Sequence, residues 1–180
     1  MTIDVAGITQ DSITDGPGLR FVLFVQGCPH HCPGCQNPQT HQFGVGEKLD
    51  VAEVYRQIKL NPLNRSVTFS GGEPFSQPAP LAVLAKRLRA EGYDLAAYSG
   101  FTFEELLAHP DPAVRDFLEQ LNVLVDGRFV LARRNLELLF RGSDNQRILN
   151  VPASLRTGTA IWSTDPDWVG WPEAGVGLTG

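Results

Sequence analysis

The stretch GCPHHCPGCQN at residues 27–37 holds all three cysteines of the protein, Cys28, Cys32 and Cys35, at the spacing Cys-x3-Cys-x2-Cys. On a helix these three positions would share one face. Two prolines within the span, and a glycine directly before the third cysteine, rule a helix out. We therefore predict a loop that folds back so that three thiols converge on one site.

The cysteine triplet indicates a metal site, because three clustered cysteines without partners elsewhere cannot form a disulfide framework. A structural zinc ion takes four protein ligands, and His30, His31 or His41 could supply the fourth beside three thiolates. A 4Fe–4S cluster normally takes four thiolates, so that three would leave one iron open to bind a substrate. The spacing alone favours zinc and the cluster about equally, and three unrelated free thiols are the remaining alternative.

Composition narrows the class of protein. The 180 residues, 42% of them hydrophobic, are enough for one domain with a sizeable core. The net charge is −5 and there is no lysine-rich run, so nucleic acid is not an expected partner. No apolar run reaches the ~18 residues that span a membrane, and the N-terminus does not resemble a secretory signal. Cysteines confined to one cluster fit a reducing compartment, so we expect a cytoplasmic protein.

Short apolar runs alternate with amphipathic segments along the chain. The predicted strands are residues 20–26, 66–69, 93–98, 121–125 and 148–151. The predicted helices are residues 50–60, 80–90, 102–109, 112–120 and 130–140. This alternation favours an α/β fold of parallel strands with outer helices, too short for a closed eight-stranded barrel of about 250 residues. A partial barrel or an open sheet is therefore expected, with its site beyond the carboxyl ends of the strands.

Two further motifs lie where such a site would form. Ser-Gly-Gly-Glu-Pro at residues 70–74 follows the second predicted strand, and it could be only a strand-to-helix turn. A paired glycine also lets a ligand approach the backbone closely, with Glu73 next to it. Asp-Gly-Pro-Gly at residues 15–18 is either a tight turn into the first predicted strand or a loop beside the active site.

Taken together, the cysteine triplet and the Gly-Gly-Glu motif resemble the radical S-adenosylmethionine enzymes. Over roughly residues 12–150 the order of motifs is similar to that of the anaerobic ribonucleoside-triphosphate reductase-activating proteins: DGPG (15–18), CPHHCPGCQNP (28–38), SGGEP (70–74), YSGF (98–101), LNVLVDGRF (121–129) and RGSDNQR (141–147). The last two motifs favour this family over the related pyruvate formate-lyase-activating enzymes.

The resemblance implies a partial (β/α)6 barrel of the radical S-adenosylmethionine type. The length of the chain predicts a single domain, over residues 1–164, and the Trp, Pro and Gly content of residues 165–180 predicts a loosely organised tail. The resemblance also implies one 4Fe–4S cluster per chain, three of whose irons are bound by Cys28, Cys32 and Cys35. The amino and carboxylate groups of S-adenosylmethionine would chelate the fourth iron. The residues implied to contact that cofactor are Gly34, Cys35 and Gln36 along the cysteine loop, and Gly71, Gly72 and Glu73 at its methionyl amino end. The family often has tyrosine where this chain has Gln36, so adenine would pack on backbone or on another ring.

The implied activity is that of an oxidoreductase. It would reductively cleave S-adenosylmethionine to a 5′-deoxyadenosyl radical, abstract a glycine α hydrogen, and so generate the glycyl radical of anaerobic ribonucleotide reductase. No catalytic residue is expected beyond the cluster and cofactor, because hydrogen-atom abstraction needs no acid or base. Asp15 could meet the partner's glycine loop. A reduced flavodoxin or ferredoxin-like protein would supply the electron, and Arg133, Arg134 and Arg141 could dock it or form a solvated face.

Three alternatives remain open at this point. The chain could activate another glycyl radical enzyme of the pyruvate formate-lyase type, or it could be a radical S-adenosylmethionine enzyme acting on a small molecule. From a different class, it could be a zinc-stabilised binding module, which leaves the Gly-Gly-Glu motif without a purpose.

Overall fold

A seven-stranded sheet forms the centre of residues 1–171, the part of the chain that the computed structural model describes. In chain order its strands are β1 Thr2–Ser12, β2 Arg20–Val25, β3 Glu47–Asp50, β4 Ser66–Gly71, β5 Asp94–Tyr98, β6 Val123–Asp126 and β7 Arg147–Asn150. Across the sheet the order is β3-β1-β2-β4-β5-β6-β7. The four strands β2, β4, β5 and β6 are parallel, whereas β1 pairs antiparallel with β2 and β3, and β7 pairs antiparallel with β6. The sheet has β3 and β7 as its edges, so it is an unclosed barrel.

Among the described residues, six α-helices connect or follow the strands: α1 Val51–Ile58, α2 Pro78–Ala90, α3 Phe103–Leu107, α4 Pro112–Leu118, α5 Val151–Thr157 and α6 Pro166–Val169. Local sequence explains where they begin. The Asp50 carboxylate accepts a hydrogen bond from the backbone of α1, and Thr102 and Glu105 form a reciprocal capping box on α3. None of the helices described within residues 1–171 is long and apolar enough to cross a membrane.

The two faces of the sheet have different coverings. On one face, alternate strand residues such as Phe69 pack against the helices, and the Phe69 and Phe117 rings meet edge to face at 5.2 Å. On the other face the intervening strand residues meet a smaller apolar cluster built around Trp168 of α6. The side chain of Trp168 is 2% exposed, and it contacts the Arg20 guanidinium and the Phe140 ring. Most of the buried apolar side chains therefore lie on the helical face, and the other face is only partly covered.

The predicted α/β class, with parallel central strands, outer helices and an unclosed barrel, is confirmed. Two strands were not predicted: β1, whose sequence TIDVAGITQDS lacks a clean alternation, and the short edge strand β3. The strand predicted at 148–151 exists as β7, but it pairs antiparallel. A parallel partner would need a crossover connection, usually an α-helix, and only the 3-10 turn Leu131–Arg133 lies between β6 and β7.

The helix predicted at residues 130–140 is wrong. Only a 3-10 turn at Leu131–Arg133 forms there, and the rest of the segment folds back on itself. The backbone N–H groups of Asn135 and Asp144 donate across the segment to the carbonyls of Gly142 and Arg133, so they do not form helical bonds. The segment has strong helix formers, but backbone bonds across the segment replace the helical ones, so tertiary context overrides propensity.

The C-terminal residues are described only in part. Residues 165–171 include the short helix α6 that carries the buried Trp168. The rest of the predicted loosely organised tail, residues 172–180, lies outside the described residues. The domain boundary at residue 164 therefore stays a prediction.

Replacing Trp168 by alanine should lower the free energy of unfolding by roughly 3–5 kcal/mol, because it opens a cavity in the smaller apolar cluster. Trp171 is a matched control in the same segment: its side chain is 79% exposed, so Trp171→Ala should change stability by less than about 0.5 kcal/mol. Urea denaturation of the apoprotein measures both. Equal effects of the two substitutions would show that α6 does not belong to the folded core.

Candidate functional site

A cavity of about 330 Å³ opens at the carboxyl ends of the parallel strands, on the face away from the main helical layer. Its wall includes residues from five segments, which lie at 14–15, 35–37, 70–72, 98–100 and 129–146. The second, third and fourth of these segments follow or end β2, β4 and β5, which lie next to one another in the sheet. This is where a parallel α/β sheet is expected to place a site.

The cysteine loop, residues 27–37, leaves β2 and forms one side of this cavity. Its backbone is held at the start, where the N–H of Gly27 donates to the Thr40 carbonyl at 2.8 Å and that of Cys28 donates to the His41 carbonyl at 3.0 Å. A turn bond of 3.1 Å from the Cys35 N–H to the Cys32 carbonyl brings the second and third cysteines together. The predicted absence of a helix across the three cysteines is confirmed.

The three thiols differ in their surroundings. Cys28 is buried, Cys32 and Cys35 are half-buried, and Cys35 faces the cavity. Burial raises the pKa of the Cys28 thiol. Hydrogen bonds from the backbone of His30 and His31 oppose this rise, and the Glu73 and Cys32 charges add to it. A bound iron centre would reverse this preference, because thiolate is the form that ligates metal.

Three soft sulfur donors on one loop, one of them facing a cavity, fit the ligand set of an iron–sulfur cluster. The histidines considered as a fourth zinc ligand are placed differently. The His30 ring hydrogen-bonds Glu73, and the His31 and His41 rings contact each other at 5.1 Å. Within residues 1–171 no group of three or more His, Cys, Asp or Glu side chains, the three cysteines included, is arranged to hold a single metal ion. A 4Fe–4S cluster differs from a single ion, because each thiolate binds a separate iron.

The double-glycine loop, residues 70–74, packs directly against the cysteine loop. The N–H groups of Gly72 and Glu73 donate to the carbonyls of Val25 and Gly27, both at 2.8 Å. A Cβ atom at position 72 would lie 2.3 Å from the Gly27 carbonyl oxygen, and Gly71 has a φ of +97° that side chains rarely adopt. Both glycines line the cavity, so the backbone itself forms that wall.

Glu73 lies behind this wall and its side chain is fully buried. Its Oε1 accepts hydrogen bonds from the Phe75 N–H and the Ser99 hydroxyl, both at 3.0 Å. Its Oε2 accepts from the Gly100 N–H at 2.8 Å and from the His30 Nε2 at 3.0 Å. Glu73 thus joins its own loop to the loops that follow β2 and β5.

The other predicted residues are distributed as follows. Gln36 and Asp15 line the cavity beside Cys35, whereas Gly34 faces outward and packs beside Leu131. Of the three arginines considered for docking, Arg141 lines the cavity, and Arg133 pairs with Asp144 at the surface; burial lowers the pKa of Arg141.

The cavity wall includes aromatic residues that the sequence analysis did not identify as site residues. They are Tyr98, Phe129 and Phe140. Burial raises the pKa of the Tyr98 hydroxyl well above its usual range, so Tyr98 presents a neutral ring. Tyr98 begins the YSGF motif and Phe129 ends the LNVLVDGRF motif. Their place in these motifs, each at or just beyond the carboxyl end of a predicted strand, was the sequence signal that could have identified them as site residues.

Replacing Gly72 by alanine should destabilise the apoprotein by about 1–3 kcal/mol, because the new methyl group meets the Gly27 carbonyl oxygen rather than a flexible side chain. Gly7→Ala is the matched control, since nothing lies within 4 Å of a Cβ atom there. Urea denaturation compares the two. A wild-type midpoint for Gly72→Ala would mean that the two loops are not in contact.

In the folded apoprotein Cys28 should be alkylated more slowly than Cys32 and Cys35, because its raised pKa leaves less thiolate and its side chain is buried. Timed iodoacetamide labelling at about pH 8, followed by peptide mass spectrometry, measures the three rates. In concentrated urea the difference should disappear. Cys28 reacting as fast as the others before unfolding would contradict this arrangement.

Comparison with known proteins agrees with this geometry. The model of the 4Fe-4S single cluster domain family matches residues 14–149. The anaerobic ribonucleoside-triphosphate reductase-activating protein of Escherichia coli K12 is 39% identical over 144 residues, which cover 74% of this chain and 90% of that protein. Its counterpart in Pasteurella multocida is 38% identical over 146 residues, covering 76% and 90%. The pyruvate formate-lyase-activating enzyme of Clostridium pasteurianum is 36% identical over 121 residues, covering 62% and 51%.

The first two relatives are matched over nearly their whole length, whereas the last is matched over about half of its length. The family model includes the cysteine loop, the double-glycine loop and the cavity wall up to residue 146. The chain therefore belongs to the anaerobic ribonucleoside-triphosphate reductase-activating proteins, a family of radical S-adenosylmethionine enzymes with a single 4Fe–4S cluster.

Proposed function

We propose that this protein cleaves S-adenosylmethionine reductively and uses the product to generate the glycyl radical of an anaerobic ribonucleoside-triphosphate reductase. The names of relatives matched over 90% of their length support this activity. When bound, the reduced cluster supplies one electron to a carbon–sulfur bond of the cofactor, which gives methionine and a 5′-deoxyadenosyl radical that takes a glycine α hydrogen. The observation that carries the proposal is a loop of three thiols beside a cavity walled by two glycines.

Cys28, Cys32 and Cys35 would each bind one iron of the cluster. They are the only cysteines in the chain, so the fourth iron receives no thiolate from the protein and stays available to the cofactor. Cys35 faces the cavity, which supports placing the open iron on that side. The raised pKa of Cys28 implies that a proton leaves this thiol when the cluster binds.

The remaining predicted contacts would hold S-adenosylmethionine across the cavity. Gly71 and Gly72 bring bare backbone to the methionyl end, and Glu73 supports that loop from behind. Cys35 and Gln36 would contact the cofactor from the cavity wall. Gly34 faces outward beside Leu131, so its part would be limited to the turn, with a φ of +73°, that presents Cys35. For the adenine we propose the neighbouring aromatic wall of Tyr98, Phe129 and Phe140 as packing surface, because Gln36 has no ring to offer.

The proposed reaction needs a site that shields the radical from solvent and admits the partner's glycine loop, and it needs no proton transfer. The Asp15 carboxylate is held at the cavity edge by the hydroxyls of Ser12 and Thr14, so the loop before β2 is fixed where a partner's glycine loop would enter. We further propose a cytoplasmic location and a reduced flavodoxin or ferredoxin-like electron donor. Arg134 is exposed in the segment between Phe129 and Arg141, and those two residues line the cavity, which supports an acidic partner on that side.

A second candidate function is activation of a glycyl radical enzyme of the pyruvate formate-lyase type. It is favoured by the 36% identity to such an activating enzyme, although the alignment covers only 51% of that relative.

Anaerobically reconstituted protein should be brown, contain four iron and four sulfide ions per chain, and release 5′-deoxyadenosine from S-adenosylmethionine after reduction with dithionite. With a purified anaerobic ribonucleotide reductase, electron paramagnetic resonance should record a glycyl radical on the partner. Cys32→Ala should abolish cleavage while the circular dichroism spectrum stays that of the wild type, because Cys32 is half-buried and is not one of the core residues.

Two results would redirect the assignment. A colourless protein with one tightly bound zinc ion, whose Cys32→Ala variant unfolds, would contradict the proposal in favour of a binding module. Cleavage without a radical on the reductase, but with one on a pyruvate formate-lyase-type partner, would favour the second candidate.

A further inference from the structure

The Glu73 carboxylate has no hydrogen-bonding capacity left for a ligand. An ionised carboxylate offers about four lone-pair sites, and four donors from the protein already occupy them. The side chain is also fully buried and is absent from the cavity wall. A cofactor ammonium group would therefore have to meet other acceptors, such as the backbone carbonyls of residues 70–72.

Three of the four donors to the Glu73 carboxylate lie in other loops than Glu73 itself. Ser99 and Gly100 follow β5, and His30 lies in the cysteine loop after β2. Because β4 lies between β2 and β5 in the sheet, the carboxylate after β4 reaches its neighbours on both sides. Glu73 is thus a cross-link of the three loops.

His30 is the link to the iron-binding side. It lies between Cys28 and Cys32, and its side chain is only 4% exposed. Its ring lies edge-on to Phe101 at 4.5 Å between centroids, and a Cβ atom at Gly100 would come within 2.3 Å of the ring. The loop after β5 therefore forms a socket in which the ring is held from two sides while its Nε2 bonds to Glu73.

We infer that His30 and Glu73 are positioning residues that set the distance and angle between the cysteine loop and the double-glycine loop. The inference rests on the proposed function, in which one loop holds the irons and the other holds the cofactor's methionyl end. Chelation of an open iron requires both ends at once, so a small displacement of one loop weakens cofactor binding even when the cluster is complete.

The test uses anaerobically reconstituted holoenzyme with the matched substitutions His30→Asn and His31→Asn. His31 lies in the same loop, is exposed, and adopts a φ of +46° that asparagine tolerates. His30→Asn should keep its iron and sulfide content, but its dissociation constant for S-adenosylmethionine should rise about 10- to 100-fold. The change that the cofactor causes in the electron paramagnetic resonance spectrum of the reduced cluster should be lost or weakened. His31→Asn should match the wild type in all three measurements.

Two more variants separate positioning from a merely structural role. His30→Gln has a longer amide whose N–H can still reach the Glu73 Oε2, so it should recover part of the cofactor affinity and of the spectral change. Glu73→Gln keeps the shape but turns one acceptor atom into a donor that faces protein N–H or O–H groups, so it should weaken cofactor binding as His30→Asn does. Urea midpoints of the apoproteins control for folding.

The inference is overturned if His30→Asn binds the cofactor with wild-type affinity and spectral change. It is also overturned if His30→Asn and His30→Gln both lose the cluster, because His30 would then serve iron binding itself. Failure of the proposed function is a different result: the wild type would then neither assemble a cluster nor bind S-adenosylmethionine.

Discussion

The arrangement of the site depends on one buried carboxylate that accepts four hydrogen bonds. Burying a charge without partners is costly, so Glu73 is tolerated only because donors reach it from three loops. The reverse also holds, because the carboxylate bonds to groups on all three loops and so constrains their relative position. The Gly27 carbonyl reinforces this junction by accepting the Glu73 N–H. The need to hydrogen-bond the buried Glu73 carboxylate therefore constrains both the loops of the fold and the walls of the site.

A second buried carboxylate has a similar role two strands further along the sheet. Asp126, at the end of β6, is fully buried, accepts the Phe103 N–H that begins α3, and pairs with Arg147 of β7. Gln146 closes the same region by accepting N–H groups of residues 142–143 and donating to the Gly127 carbonyl. Much of what the LNVLVDGRF and RGSDNQR motifs specify is therefore loop structure, which in turn places aromatic rings and Arg141 on the cavity wall.

Sequence patterns were sufficient for the central strands, most helices and the two loops that meet at the site. Cysteine spacing, paired glycines and capping residues act over a few neighbouring residues, so their effect on local structure does not depend on which distant segments pack nearby. The role of Glu73 could not be predicted, because its partners His30 and Gly100 are distant in sequence and meet only through the strand order. The failed helix at 130–140 has the opposite cause: its residues favour a helix locally, but backbone pairing within the segment replaces it.

The asymmetry of the sheet explains how one small domain can be both stable and open. Helices cover one face and bury most of the apolar side chains, so the other face does not have to be closed for stability. There Trp168 fills the region around Arg20 and Phe140, and the carboxyl-end side is left as a cavity. Because β7 turns back antiparallel, the parallel run ends at β6, and β3 and β7 remain as the two open edges of the described sheet. An enzyme whose substrate is a loop of another protein needs room for that loop to reach the reacting atoms, and the open cavity at the carboxyl ends of the strands provides it.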